Sequence, residues 1–432
     1  RILLQIKYDM KKIWLFSVIA MAFQLISAQS VTSEECWEKA RINYPLIKQY
    51  GLIENTTAYN VSNATKAYLP KLLLSAKATY QSDVTELPEA LSQRLGISME
   101  GLSKDQYQLV GEISQLMWDG GATHAQKEVV KTLSKVEKQK VEVDLYALKE
   151  RVSQLYFGIL LIDEQVHLNT MLKDELQTHY KRIEAYKQNG VANQSDLDAI
   201  QVEQLNVEQR NTELVNTKLA YVRMLSIFTK MELDEKVTLS KPEKNLLILG
   251  DTTNNRPELT LLAYQSEYYE SQKKIIHANN LPKLSAFFQG GYGKPALNMF
   301  ANEFAPFYIG GIRFSWNLGE LYSTKNNTSK LDINKQSIDV QKETFLFNTD
   351  LKNEQDKLAI KNLQALLNTD DDIIRLRENI KKVAVSKVEN GTLTVADLIR
   401  EINAENQAKQ LKSLHEIQLI KRLYEVKNNI NK

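Results

Sequence analysis

The sequence predicts an α+β membrane protein of internally duplicated plan. Each chain supplies four membrane strands to a trimeric twelve-stranded β-barrel, and a long α-helical coiled-coil barrel continues it. Three observations carry this expectation. Landmarks in the first half recur in the second, two pairs of short runs alternate apolar and polar residues, and two very long proline-free stretches show helical spacing. Composition agrees, with only 8 prolines and 16 glycines in 432 residues. No uncharged apolar run reaches the roughly 20 residues of a membrane-spanning helix, which excludes a polytopic helical transporter and leaves a β-barrel open.

The chain begins with an export signal. Met10, Lys11 and Lys12 lead into an apolar run from Ile13 to Ala28, followed by Gln29 and Ser30, so residues 1–28 read as a signal peptide with an extension upstream of Met10. Removing them takes the formal charge from +2 to −1. The lone cysteine, Cys36, excludes an intrachain disulfide framework and lies too far from Ala28 to carry a lipid. No basic block marks a nucleic-acid face.

The repeat comes next. Leu69-Pro70-Lys71-Leu72 recurs as Leu281-Pro282-Lys283-Leu284, 212 residues later, and Tyr44-Pro45 as Arg256-Pro257. Trp118-Asp119 is echoed by Trp316-Asn317 at an offset of 198, and Asn189-Gly190 with Asp196-Leu197 by Asn390-Gly391 with Asp397-Leu398 at 201. The expected divisions are residues 29–232 for the first repeat, 233–255 for a polar linker and 256–432 for the second repeat.

Each repeat opens with short helices, at 33–66 and 256–279. Strand-like runs follow. Leu72, Leu74, Ala76, Ala78 and Tyr80 form one face opposite Lys71, Ser75, Lys77 and Thr79, and Leu284, Ala286, Phe288, Gly290 and Tyr292 form another opposite Ser285 and Gln289. Returning runs extend from Tyr107 to Trp118 and from Phe307 to Trp316. Each has about the 9–11 residues of a tilted membrane strand. Leu72, Leu74, Leu284, Phe288, Phe314 and Trp316 are therefore the expected lipid-facing residues. The runs by themselves fit a half-buried soluble sheet equally well.

The helical stretches decide between the two. Leu145, Leu148, Val152, Leu155, Ile159, Ile162 and Val166 follow one another in steps of three and four, as do Ile373, Leu376, Ile380 and Val383. That spacing is a coiled-coil seam. From Trp118 to Asn189 is 71 residues and from Trp316 to Asn390 is 74, each on the order of 105 Å as a helix. Gly190 and Gly391 mark the ends, with Ser195 and Thr394 as expected caps for the returning helices at 194–232 and 394–429. Four strands cannot close a barrel, and an open edge in lipid leaves backbone groups unsatisfied. Three copies close it, around a water-filled conduit.

In this order and spacing the landmarks resemble the TolC family of outer-membrane efflux proteins: signal peptide, Tyr-Pro helix, paired Leu-Pro steps, Trp118-Asp119-Gly120-Gly121 and Trp316-Asn317-Leu318-Gly319, and two Asn-Gly tips. The resemblance spans the mature chain. It implies a homotrimer in outer-membrane lipid of a Gram-negative bacterium, with a tunnel through the periplasm. It also implies a periplasmic adaptor (membrane fusion) protein docked to an inner-membrane pump, in multidrug efflux or type I secretion. By this resemblance Gly190, Val191, Gly391, Thr392 and Leu393 face the adaptor. Asp397 stands at the position of an acidic periplasmic gate, with Asp196 as its first-half counterpart. Arg400 stands where family members carry a second acid and Leu393 where some carry a basic gating residue, so the acidic ring is weakened. Asp397 is equally read as a helix-end carboxylate answering the dipole, and the run Asp370-Asp371-Asp372 as a solvated face.

No enzyme, metal or cofactor is expected. Glu164-x-x-His167 is half of a di-iron motif with no second copy. The competing reading is a periplasmic coiled-coil adaptor or a structural protein. Adaptors carry a single hairpin, and a filament lacks the strands.

Overall fold

The computed structural model describes residues 30–85, 94, 102–242, 254–299 and 301–429. The signal segment, most of the loop between the first two strands and residues 243–253 lie outside them. The elements are α1 (Ser33–Asn43), α2 (Gln49–Thr65), β1 (Lys71–Tyr80), β2 (Asp105–Trp118), α3 (Ala122–Gln188), α4 (Gln194–Thr229), α5 (Pro257–Asn279), β3 (Lys283–Lys294), β4 (Ala305–Ser315), α6 (Leu321–Glu389) and α7 (Val395–Asn429). Two compact units cut across the duplication: Arg1–Ile47, Glu142–Pro257 and Phe345–Lys432 form one, Lys48–Val141 and Glu258–Thr344 the other. Helices α3 and α6, of 67 and 69 residues, belong to both.

Where one helix is expected over 33–66, the structure has two. Tyr44 is extended (φ −67°, ψ 132°) because a residue before proline is pushed out of the helical region. Pro257, by contrast, is the first residue of α5, a position where the missing N–H costs nothing.

In the second unit the four strands form an antiparallel meander, β1-β2-β3-β4. Register joins the alternations of all four into one face. Leu72, Ile113, Phe288 and Gly310 stand in one row, and Leu74, Gly111, Gly290 and Tyr308 in the next. Leu72 is 77% exposed, Leu74 72% and Phe314 65%, while Leu284 is half-buried. Phe288 stacks on Tyr308 with ring centroids 6.1 Å apart. Trp316, 49% exposed, lies one residue beyond β4, where its indole N–H donates to the Asn280 carbonyl at 2.9 Å. It therefore pins the strand end to the loop before β3. Among the described residues β1 and β4 each pair on one side only.

The Trp-Asp-Gly-Gly step has a mechanical explanation. Asp119, 3% exposed, accepts hydrogen bonds from the Gly121 N–H (2.9 Å), the Thr123 N–H (2.7 Å) and the Tyr68 hydroxyl (2.8 Å). It thereby caps α3 and ties it to the turn before β1. Gly120 has φ +68°, and a Cβ there would lie 2.5 Å from that of Leu281.

In the first unit the predicted seam is buried from Leu145 to Ile162. Leu148, Val152, Tyr156, Phe157 and Ile159 of α3 pack with Cys36 and Ala40 of α1, Val222 and Leu225 of α4, and Ile417, Ile420 and Tyr424 of α7. Burial and the nearby Glu35 carboxylate push the Cys36 thiol up to about 12, so it is inert packing. Of the polar linker expected over 233–255, the described residues 233–242 pack against the segment leading into α1. Leu239 is buried and forms a parallel bridge with Val31, and the Tyr156 hydroxyl lies 2.9 and 2.6 Å from the Val31 and Ser240 carbonyls.

The second-half seam behaves differently. Ile373, Leu376, Ile380 and Val383 are 42–54% exposed.

Candidate functional site

The two tips, both in the first unit, are built alike. At the first, the Gly190 N–H donates to the Lys187 carbonyl (3.0 Å) and the Val191 N–H to Tyr186 (2.8 Å); at the second, Gly391 donates to Val388 (3.0 Å) and Thr392 to Lys387 (2.9 Å). This is the paired bonding that closes a helix through a left-handed residue. Gly190 and Gly391 have φ of 75° and 66° with open space around their Cβ positions, so conformation rather than crowding selects glycine.

The returning helices correct one expectation. Thr394 caps α7, its hydroxyl accepting from the Asp397 N–H at 3.1 Å. The first-half cap is Asn193, not Ser195: Asn193 is the extended residue before α4 (φ −102°, ψ 168°), and the Asp196 carboxylate accepts from its N–H at 2.9 Å. Ser195 already lies inside α4. The offset of 201 that relates the Asn-Gly pairs carries Thr394 onto Asn193, so the duplication held this answer.

Leu197, Ile200 and Val207 of α4 and Leu398 and Ile402 of α7 bury themselves against Leu172, Leu176 and Ile183 of α3 and Ala384 and Val388 of α6. Leu393 is partly buried against this cluster, Gly190, Gly391 and Thr392 are exposed, and Val191 is 65% exposed. Arg182 bridges the tips to Glu389 at 2.7 Å.

Asp397 is a committed carboxylate. It accepts from the Thr394 hydroxyl at 2.7 Å and pairs with Arg400 at 2.9 Å. The Thr394 hydroxyl first, joined by the Arg400 guanidinium, holds its carboxyl below the usual range against the opposing effect of burial. Asp196 has the same capping place without an arginine, since residue 199 is alanine.

A charged cluster not anticipated from the sequence sits next along the bundle. Glu405, whose side chain is 4% exposed, contacts Lys381 (2.6 Å) and Lys409 (2.5 Å), and Lys381 also reaches Glu175 (2.5 Å). The His179 ring, 3.9 Å away, and then the bonded Lys381 ammonium lower the Glu175 carboxyl to about 2 against burial. Burial works against charge on Lys381, and bonding to Glu175 and Glu405 outweighs it, raising that ammonium. The run at 370–372 is likewise divided. Asp370 is buried beside His415 (2.7 Å), while Asp371, with Lys412 at 2.5 Å, and Asp372, with Arg375 at 2.7 Å, both stand on a solvated face.

No family model matches the sequence, and no curated protein matches it. Solved structures do. The Campylobacter jejuni CmeC outer membrane channel superposes with a TM-score of 0.63 at 14% identity, over 92% of this chain and 85% of that one. The Vibrio cholerae outer membrane protein VceC gives 0.62 at 13% identity, over 92% and 94%. The open-state Neisseria gonorrhoeae MtrE outer membrane channel gives 0.63 at 10%, over 92% and 88%. At such identities the likeness speaks for architecture, and with the four-stranded meander, the two long helices and the paired Asn-Gly tips it gives one conclusion: the chain has the fold of the TolC-family outer-membrane channels.

Proposed function

We propose that the chain is the outer-membrane channel of a tripartite efflux or type I secretion system, a passive conduit rather than an enzyme. Three copies close their strands into a twelve-stranded barrel in the outer membrane of a Gram-negative cell, and their helices form the periplasmic tunnel. The carrying observation is the sheet, with one apolar exposed face across four strands and a free edge on both β1 and β4. Neither feature is stable in water or in lipid until other copies cover the edges. The seam on α6 supports the same assembly, because it has coiled-coil spacing and is left 42–54% exposed among the described residues. At the tips, Gly190, Val191, Gly391, Thr392 and Leu393 present the surface for a periplasmic adaptor that leads to an inner-membrane pump. Asp397, with Asp196 as its counterpart, lines the gate, and Arg400 offsets Asp397 so that the ring repels weakly. The two sequence repeats, 29–232 and 256–432, are then the two hairpins of each protomer.

The test is the mass of the protein extracted in detergent from fractionated envelopes, by light scattering corrected for bound detergent. A trimer from the outer-membrane fraction is expected. A detergent-free soluble monomer or dimer contradicts the reading.

A further inference from the structure

Pairing register and strand alternation place five charged side chains on the sheet face opposite the apolar one: Lys71 and Lys77 on β1, Glu112 on β2, Lys283 on β3 and Arg313 on β4. The acid is already committed. Glu112 accepts from the Gln289 amide at 2.6 Å and pairs with Arg313 at 3.3 Å, while the Arg313 guanidinium lies 4.5 Å from the centre of the Phe287 ring. Lys71, Lys77 and Lys283 are exposed, and none has an ion-pair or hydrogen-bond partner among the described residues. Lys71, Lys283 and Arg313 also line a recess of about 530 Å³ with Ser114 and Ser285. The Asp119 carboxylate borders the same recess, with its oxygens bound to Tyr68, Gly121 and Thr123.

Lysines on an edge strand commonly guard against strand-to-strand aggregation, which would account for Lys71 and Lys77. It does not account for Lys283, because β3 lies between β2 and β4.

We infer that the barrel interior is a cationic filter, set by Lys71, Lys77 and Lys283, which passes anionic solutes in preference to cationic ones. The inference rests on the channel reading above, since threefold closure is what turns three lysines into a ring. Wherever the opening is no wider than about twice the roughly 10 Å screening length at 0.1 M salt, the fields of the three copies overlap and concentrate counter-ions. At the tips Arg400, 2.9 Å from Asp397, offsets one of the two gate carboxylates of each copy.

Reconstituted trimer in a planar bilayer under a roughly tenfold KCl gradient gives the test. The wild type is expected to show a zero-current potential of the chloride sign, with chloride at least about threefold more permeant than potassium, fading at about 1 M salt. Joint replacement Lys71→Gln, Lys77→Gln and Lys283→Gln brings the ratio near one, and the three changes to Glu reverse its sign. All three sites are exposed, and trimer mass on the same samples reports assembly. A wild type that prefers potassium or shows no preference overturns the inference, as does a glutamine variant that keeps the full chloride preference; both leave the channel reading standing. An inserted trimer with no conductance overturns the channel reading and the inference together.

Discussion

Phe288→Arg is expected to abolish outer-membrane insertion. Phe288 is in the middle of β3, half exposed on the apolar face, between Ile113 and Gly310 and stacked on Tyr308. A cationic side chain facing lipid near the bilayer midplane costs about 2–4 kcal/mol, and a closed trimer incurs it three times. Ser75→Arg is the comparison, because Ser75 belongs to the opposite face, which already carries Lys71 and Lys77. Fractionation followed by trimer analysis should find Ser75→Arg in the outer membrane and Phe288→Arg absent from it. Equal tolerance of both would mean that the apolar face does not meet lipid.

The second large effect is at the tips. Glu405→Gln leaves Lys381 and Lys409 in a half-buried site with one carboxylate fewer. Removing one partner of a buried pair costs about 3–5 kcal/mol; because Lys381 keeps Glu175, the expected loss is at the lower end of that range. Hydrogen exchange should show the amides around residues 172–207 and 377–409 losing two or more powers of ten in protection, at about 1.4 kcal/mol per tenfold, with the sheet unchanged. Asp372→Asn, whose pair with Arg375 is 67% exposed on both sides, should change almost nothing. Acid should act through the same cluster. The Glu175 carboxyl is held at about 2, below its ordinary 4.5. Its contribution is therefore complete above about pH 4.5 and is lost as pH falls toward 2. Tip protection that is constant from neutral pH down to 2 would contradict this.

Much of the architecture is legible in the sequence because long-range periodicity is a strong signal. Alternation located all four strands, and their pairing put Leu72, Leu74, Phe288 and Phe314 on one face without any further information. The Asn-Gly pairs marked both tips because only a left-handed residue ends a helix that way. Local detail was weaker. Ser195 looked like a cap because serine is a good one, yet cap position is fixed by where the chain leaves the extended conformation, at Asn193. Residues 233–255 looked like a linker because the single parallel bridge from Leu239 to Val31 has no periodicity to reveal it.

The candidate site divides in the same way. Asp397 and Arg400 were singled out by the family resemblance, and their pairing was legible because residues three apart on one helix are neighbours. The cluster of Glu175, Lys381, Glu405 and Lys409 joins α3, α6 and α7, and nothing in a charge-rich helix says which of its charges turns inward toward another. Asp370 illustrates this: it is the first of three consecutive aspartates, yet it is buried against His415 of α7 while Asp372 is solvated.

The central claim is that β4 of one copy pairs with β1 of the next until three copies close. Disulfide scanning tests it most directly, in a Cys36→Ala background. Ala76→Cys on β1 is combined in turn with Tyr308→Cys, Gly310→Cys and Ile312→Cys on β4, since neighbouring strands bring facing residues within disulfide reach. Oxidised outer membranes should yield, for at least one pair, covalent dimers and trimers and no larger species. Failure of every pair to cross-link, or a ladder that continues past three, would contradict a closed barrel of three chains.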